Sequence, residues 1–159
     1  MRRKLTTTKI FLSLAACAAL LCLSLSACSH IIILKDPLTP EEHIKLGVAY
    51  EQKGELDAAI DQYSRAIKED KKNSAAYLFL GNSWFEKKDY AKAEKNYRKA
   101  IAASPTNAEA YNNLAWLLYT EKTDLQDARA LSAKAAQLEP SNKDFKDTLA
   151  KIEGAAKAP

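Results

Sequence analysis

The chain repeats itself, and the period is the feature that most limits its fold. A shift of 34 residues lays Gly81 on Gly47, Leu80 on Leu46, Trp84 on Tyr50, Ala93 on Ala59, Tyr97 on Tyr63, Ala100 on Ala66 and Ile101 on Ile67. The same shift forward lays Tyr77 on Tyr111 and Leu80 on Leu114. After one extra residue the offset becomes 35, and Ala93, Ala100 and Pro105 fall on Ala128, Ala135 and Pro140. A unit of this length is one supersecondary element that cannot bury its apolar face alone, so consecutive units must stack into an array.

The residues inside the unit resemble the tetratricopeptide repeat. Its first helix carries an aromatic, then Leu-Gly, then an aromatic; its second carries Ala, an aromatic and Ala, with Pro at the end. The resemblance covers about residues 40–140. It implies an all-α fold, a right-handed α-solenoid of three helix-turn-helix units with a C-terminal capping helix. The repeats fall at about 40–73, 74–107 and 108–142, and the capping helix at 142–153.

Local signals set the expected helix ends. Thr39, Pro40 and Glu42 form a capping box with proline at the first helical position, opening a helix to about Lys53. Gly54 ends it, and Leu56 to about Asp70 is its partner. The second pair is expected at Ser74 to Lys87 and Tyr90 to Ala103. Thr106 with Glu109 reads as a further capping box, for a helix ending near Glu121. The extra residue sits in the turn around Lys122 to Asp124, and the last partner helix runs from Leu125 to Leu138. Ser141 and Asp144 open a lone helix with Phe145, Leu149 and Ile152 on one face, and Gly154 to Pro159 is expected to fray. The unit is not uniform. Lys71 stands where proline is usual, Ala115 replaces the repeat glycine, and Ser132 replaces the large residue, with Leu131 beside it to fill the space.

The amino-terminal segment differs in kind. Residues 1–9 are short and basic, and residues 10–25 are apolar or small, the pattern of an export signal. Leu25-Ser26-Ala27-Cys28 resembles the lipobox of bacterial lipoproteins. That resemblance implies cleavage after residue 27, lipidation of Cys28 and a tether over 28–39 with an apolar run at Ile31–Leu34. Each buried methylene contributes about 0.8 kcal/mol, and one acyl chain alone binds marginally, so two or three chains would hold the protein at a membrane. The implied location is the bacterial envelope, at the periplasmic face of the outer membrane where the cell has one. An uncleaved signal anchor is the alternative, although the run is short for a spanning helix of about 20 residues.

Removal of that segment changes the charge and the cysteine chemistry. Arg2, Arg3, Lys4 and Lys9 account for four of the 24 basic residues, leaving 20 against 20 acidic ones. A balanced chain argues against nucleic acid, whose phosphates need a net basic face. Of the three cysteines only Cys28 remains, so no intramolecular disulfide can form.

No catalytic constellation is present. The two histidines are His30, beside the anchor, and His43, in register with Tyr77 at a packing position. No histidine follows His43, so a Ser-His or Cys-His pair cannot form within the repeats. Metal-ligand spacing and a phosphate-binding glycine loop are absent, and neither metal nor cofactor is expected.

What remains is surface. With Leu46, Leu80 and Leu114 as position 7 of each unit, positions 2, 5, 9 and 12 cluster on one helix face at about 100° per residue. In the resembled family the first helices line a concave groove. The candidate partner-binding residues there are Ile44, Val48, Leu78, Asn82, Phe85, Asn112, Trp116 and Tyr119, with Glu41, Glu51, Ala75 and Glu109 beside them. Such a groove suits an amphipathic helix or an extended peptide with apolar anchors. The alternative is that these residues touch only neighbouring helices or the chain's own tail. One subclass of the family grips a C-terminal carboxylate with lysine and asparagine, but Ile44 and Val48 stand at those places and this face has no lysine. A carboxylate clamp is therefore excluded. Trp84, in register with Tyr50, is expected to be buried between the two helices of its repeat. On the second helix of the middle repeat, Lys88, Lys92, Lys95 and Lys99 form a basic stripe, either solvated or touching anionic lipid or an acidic partner.

The sequence thus points to a non-enzymatic, membrane-anchored scaffold or assembly factor of the bacterial envelope, resembling pilotins or adaptors for cell-wall enzymes. An envelope protein that binds a small ligand or glycan in the aromatic groove is the alternative.

Overall fold

The computed structural model describes residues 36–156. The export signal, Cys28 and the Ile31–Leu34 run lie outside them. From Pro37 onward the chain forms one compact unit. Seven helices occur among the described residues: α1 Pro40–Gln52, α2 Leu56–Glu69, α3 Ser74–Glu86, α4 Tyr90–Ala103, α5 Ala108–Glu121, α6 Leu125–Leu138 and α7 Lys143–Ala156. They pair as α1/α2, α3/α4 and α5/α6, with α7 packed on α6 and touching α5. The backbones of the first helices of neighbouring repeats approach closely, α1 with α3 and α3 with α5, whereas the second helices stand further apart, α4 and α6 meeting through Arg98 and Asp127 at 3.5 Å. The stack therefore curves, with the first helices on its inner side.

Six of the seven helices begin at a side-chain cap that satisfies amide groups the helix itself cannot, and α2, after Glu55, begins without one. Thr39 Oγ1 accepts from the Glu42 amide at 3.3 Å, and Glu42 Oε2 accepts from the Thr39 amide at 2.8 Å. That exchange holds the Glu42 carboxyl below its ordinary range, because the Thr39 bonds favour the charged form. Two expected starts are corrected. Asn107, and not Thr106, caps α5, accepting from the Ala110 amide at 3.0 Å. Asn142, and not Ser141, receives the Asp144 amide at 3.1 Å before α7. In both cases an asparagine one residue further on reaches the orphan amide, as Asn73 does for α3. Of the tail expected to fray, Gly154 to Ala156 belong to α7, and residues 157–159 lie outside the described ones.

The turn inside each repeat is closed by a left-handed residue, and it recurs with the period. Gly54 has φ +77°, Lys88 +61° and Lys122 +54°. The next amide then reaches back to the helix, Glu55 to Tyr50 O at 2.9 Å, Asp89 to Trp84 O at 2.9 Å and Thr123 to Leu118 O at 3.2 Å. Thr123 is the extra residue of the third repeat, between the left-handed Lys122 and the capping Asp124.

The core lies between the helices of each pair and between successive repeats. The Tyr63 ring rests on Gly47, where an added Cβ would stand 2.4 Å from Tyr63 Cε1. Tyr97 does the same at Gly81, at 2.6 Å. In the third repeat both partners change together. Ala115 and Ser132 are fully buried where the other repeats have glycine and tyrosine, so a methyl group on one helix is matched by a smaller side chain on the other. Leu131 packs half-buried against that core, and Ile152 of α7 enters it with no exposure.

Gly81→Ala should push Cβ into the Tyr97 ring and lower stability by about 1–3 kcal/mol, as overpacking does. Gly154→Ala meets nothing within 4 Å and should be neutral or gain about 0.5–1 kcal/mol from helix propensity. Urea titrations of both variants check this; equal effects would contradict the close glycine–tyrosine packing.

Candidate binding groove

Between α3, α4 and α5 a recess of about 240 Å³ opens on the inner side. Asn82, Phe85 and Glu86 of α3, Tyr97 of α4, and Asn113 and Trp116 of α5 line it. Its floor is a hydrogen-bonded network. Tyr97 is only 2% exposed, and its hydroxyl donates to Asn82 Oδ1 at 2.9 Å. Asn113 Nδ2 donates to the same oxygen at 2.9 Å, and Asn112 Nδ2 donates to Asn113 Oδ1 at 3.3 Å. Asn112 Oδ1 is buried and accepts no bond among the described residues, an arrangement that costs about 1–3 kcal/mol. A second recess lies across Trp116 toward α7, lined in part by Asn112, Asp144, Asp147 and Lys151.

The floor is electrically negative. Burial holds the Tyr97 phenol well above its ordinary range, and the charges of Glu109, Glu51 and Glu86 raise it further. Tyr63 is raised in the same way, by burial and then by Glu51, whose Oε2 accepts its hydroxyl at 2.9 Å. Glu51 Oε1 accepts from Ser83 Oγ at 2.5 Å. Desolvation and then the neighbouring Glu139 charge hold the Glu109 carboxyl above its usual value.

The structure brings Asn82, Phe85 and Trp116 together in the first recess and places Asn112 and Trp116 in the second. Tyr119 lies beside Trp116, with ring centroids 5.4 Å apart. Ile44 and Val48 are half-buried against the core shared by the first two repeats, around Ala59, Tyr63 and Leu80. Leu78 is a correction. It is 4% exposed and packs with Ala110 and Leu114 in the core between repeats, so it is not available to a partner. The third repeat covers position 5 of the second. Asn113 and Glu86, at positions 6 and 13, line the recess in its stead. The groove stripe therefore keeps positions 9 and 12 and widens toward positions 6 and 13. A polar Asn113 where the earlier repeats carry Lys45 and Phe79 was the available signal.

The two tryptophans occupy different settings. Trp84 packs on the cores of two repeats but is half-buried rather than enclosed. Its outer face carries Lys92, with Nζ 3.9 Å from the ring centroid, and Lys87 at 5.8 Å. Trp116 belongs to none of the described core clusters, and both recesses open beside it. The basic stripe of α4 is partly held by its own domain. Lys92 also pairs with Asp89 at 2.7 Å, and Lys99 Nζ lies 5.3 Å from the Tyr77 ring. His43 is buried, with Nδ1 2.8 Å from Gln62 Oε1.

The tetratricopeptide repeat family matches the chain at residues 44–108 and again at 96–138. Mouse tetratricopeptide repeat protein 16 is 32% identical over 89 residues, 52% of this chain and 12% of that protein. The type IV pilus assembly protein PilF of Pseudomonas aeruginosa is 29% identical over 82 residues, 52% of this chain and 32% of that protein. The chain spans only 12–16% of the length of the first curated relatives it matches. A solved structure, the first TPR of Spaghetti (RPAP3) bound to the HSP90 peptide SRMEEVD, superposes with a TM-score of 0.71 at 25% identity. That superposition covers 79% of this chain and 99% of the solved one.

Truncating a fully buried tryptophan costs about 3–5 kcal/mol, so Trp84→Ala, at a half-buried site, should cost about 2 kcal/mol. Trp116→Ala should cost clearly less, because its ring lies outside the core clusters. Thermal melts decide; a larger loss for Trp116→Ala would reverse the assignment of core and groove.

Proposed function

The chain belongs to the tetratricopeptide repeat family, whose domains are modules for protein–protein interaction, and on that premise we propose a membrane-anchored scaffold or assembly factor of the bacterial envelope. It holds a segment of a partner protein in the groove between α3, α4 and α5. It performs no catalysis of its own.

The observation that carries this reading is the recess itself. It offers aromatic walls at Phe85 and Trp116, an asparagine pair at the floor and an open mouth. Asparagine can hold a peptide backbone through both donor and acceptor. The volume of about 240 Å³ suits one side chain of an extended segment, and is below the roughly 300–1,000 Å³ of pockets that enclose whole small ligands. That favours a peptide over a glycan. The Spaghetti domain, of similar fold, is bound to a peptide.

The anchoring part rests on Leu25-Ser26-Ala27-Cys28 after a basic and apolar leader. A relative named for type IV pilus assembly supports an assembly role at the cell surface. With lipid at Cys28, the tether presents the repeats within a few nanometres of the membrane, at about 3.3–3.6 Å per extended residue.

Cells fed a labelled fatty acid should label the wild-type chain and not Cys28→Ser; equal labelling would remove the lipid anchor. Affinity capture from detergent-solubilised envelopes should yield a stoichiometric protein partner with the wild type and lose it with Trp116→Ala. Recovery of a heat-stable small molecule in its place would overturn the scaffold reading.

A further inference from the structure

We propose that the first recess takes a cationic side chain, lysine or arginine, from an extended partner segment, with apolar neighbours of that residue resting on Phe85 and Trp116. The inference rests on the groove being the binding face and names the chemistry of what binds there.

Charge complementarity carries it. Among the residues lining the recess there is one carboxylate, Glu86, and no lysine or arginine. Glu86 forms no ion pair among the described residues. The Glu51 and Glu109 charges also reach the Tyr97 hydroxyl at the floor, so three successive repeats contribute negative potential to one spot. Asn82 Oδ1 already accepts two bonds, while the phenol oxygen of Tyr97 keeps a lone pair for a further donor.

The other side of Trp116 supplies an internal precedent. There the chain places its own lysine, with Lys151 Nζ 5.5 Å from the Trp116 ring centroid in the recess that also contains Asp144 and Asp147. The composition is the same on both sides, an aromatic wall, asparagine and carboxylate. One side is lined by a lysine of α7, and among the residues lining the other there is no cation. Lysines lie over Tyr50, Tyr77 and Trp84 elsewhere in the domain, so pairing a cation with an aromatic face is its recurrent solution. An acidic segment would meet repulsion at the same place.

The test is selection of a random displayed peptide library on the full chain, immobilised in detergent, followed by anisotropy titration of the enriched peptides. Enriched sequences should carry lysine or arginine next to an aromatic or aliphatic residue and be depleted in aspartate and glutamate. Glu86→Gln should weaken them by about three- to tenfold, the range of a partly exposed ion pair with cation–π support. Glu86→Lys should abolish their binding. Glu86 is exposed at the end of α3, so both variants should keep the wild-type melting temperature, which the same samples verify. Enrichment of neutral or acidic sequences, or no enrichment, overturns the proposal. If basic peptides bind Glu86→Lys unchanged but are lost with Trp116→Ala, the cationic subsite falls and the groove stands. If they survive both substitutions, the groove reading falls with it.

Discussion

A tyrosine ring lying on the backbone of a glycine sets the spacing of the two helices in a repeat, and the groove depends on that contact. At Gly47 and Gly81 no side chain could intervene without displacing the ring. The close approach also delivers the phenol to the inner surface. Tyr63 reaches Glu51, and Tyr97 reaches Asn82, each at 2.9 Å. One residue type thus fills the core with its ring and the groove floor with its hydroxyl. The third repeat, with buried Ala115 and Ser132, has no ring at this place and brings no phenol inward. There Ser132 Oγ bonds to its own helix, at Arg129 O, and α7 supplies the missing apolar volume through Ile152.

The domain is polarised although its charges nearly cancel. On α4 the lysines face outward and several are engaged locally, Lys92 by Trp84 and Asp89 and Lys99 by Tyr77. On the inner side the carboxylates of Glu51, Glu86 and Glu109 act on the buried phenols without a cation near enough to offset them. Desolvation around Tyr97 strengthens that field, since interactions at a partly buried site are screened less than at the open surface. A net charge computed over the whole chain hides this arrangement, which requires knowing which face each residue occupies.

The array itself was legible because it repeats. Each unit votes for the same helix and packing position, so the three helix pairs, the helix end at Gly54 and the extra residue around Lys122 to Asp124 were read from register, whereas Lys88, expected on the stripe of α4, lies in the turn before it. The departures are places where a single repeat decides. Thr106 and Asn107 are both competent caps, and Asn107 is the one that caps α5. Leu78 looked like a groove residue because helical geometry fixes angles around one helix but not which neighbour covers them. The third repeat covers it. Asn113 and Glu86 were overlooked for the same reason, being one residue around the helix from the expected stripe. Trp84 kept its place on the core, but the lysines that share its outer face come from α3 and α4 together, a tertiary juxtaposition with no signature in spacing.

The same register position carries different chemistry in each repeat along the groove. Position 9 is Val48, then Asn82, then Trp116. In the first repeat valine is half-buried against the core shared with the second and presents little but shape. In the second, asparagine is fixed by Tyr97 and Asn113 and offers directed hydrogen bonds. In the third, tryptophan stands between two recesses with a lysine of α7 over its ring. A segment lying along the inner face meets an apolar, a polar and an aromatic station in that order, spaced by the repeat. Reversing the segment exchanges its apolar and aromatic ends. The repeat already gives the array a sense, since every unit stacks in the same direction, and the variation at this one position makes its three stations chemically distinct.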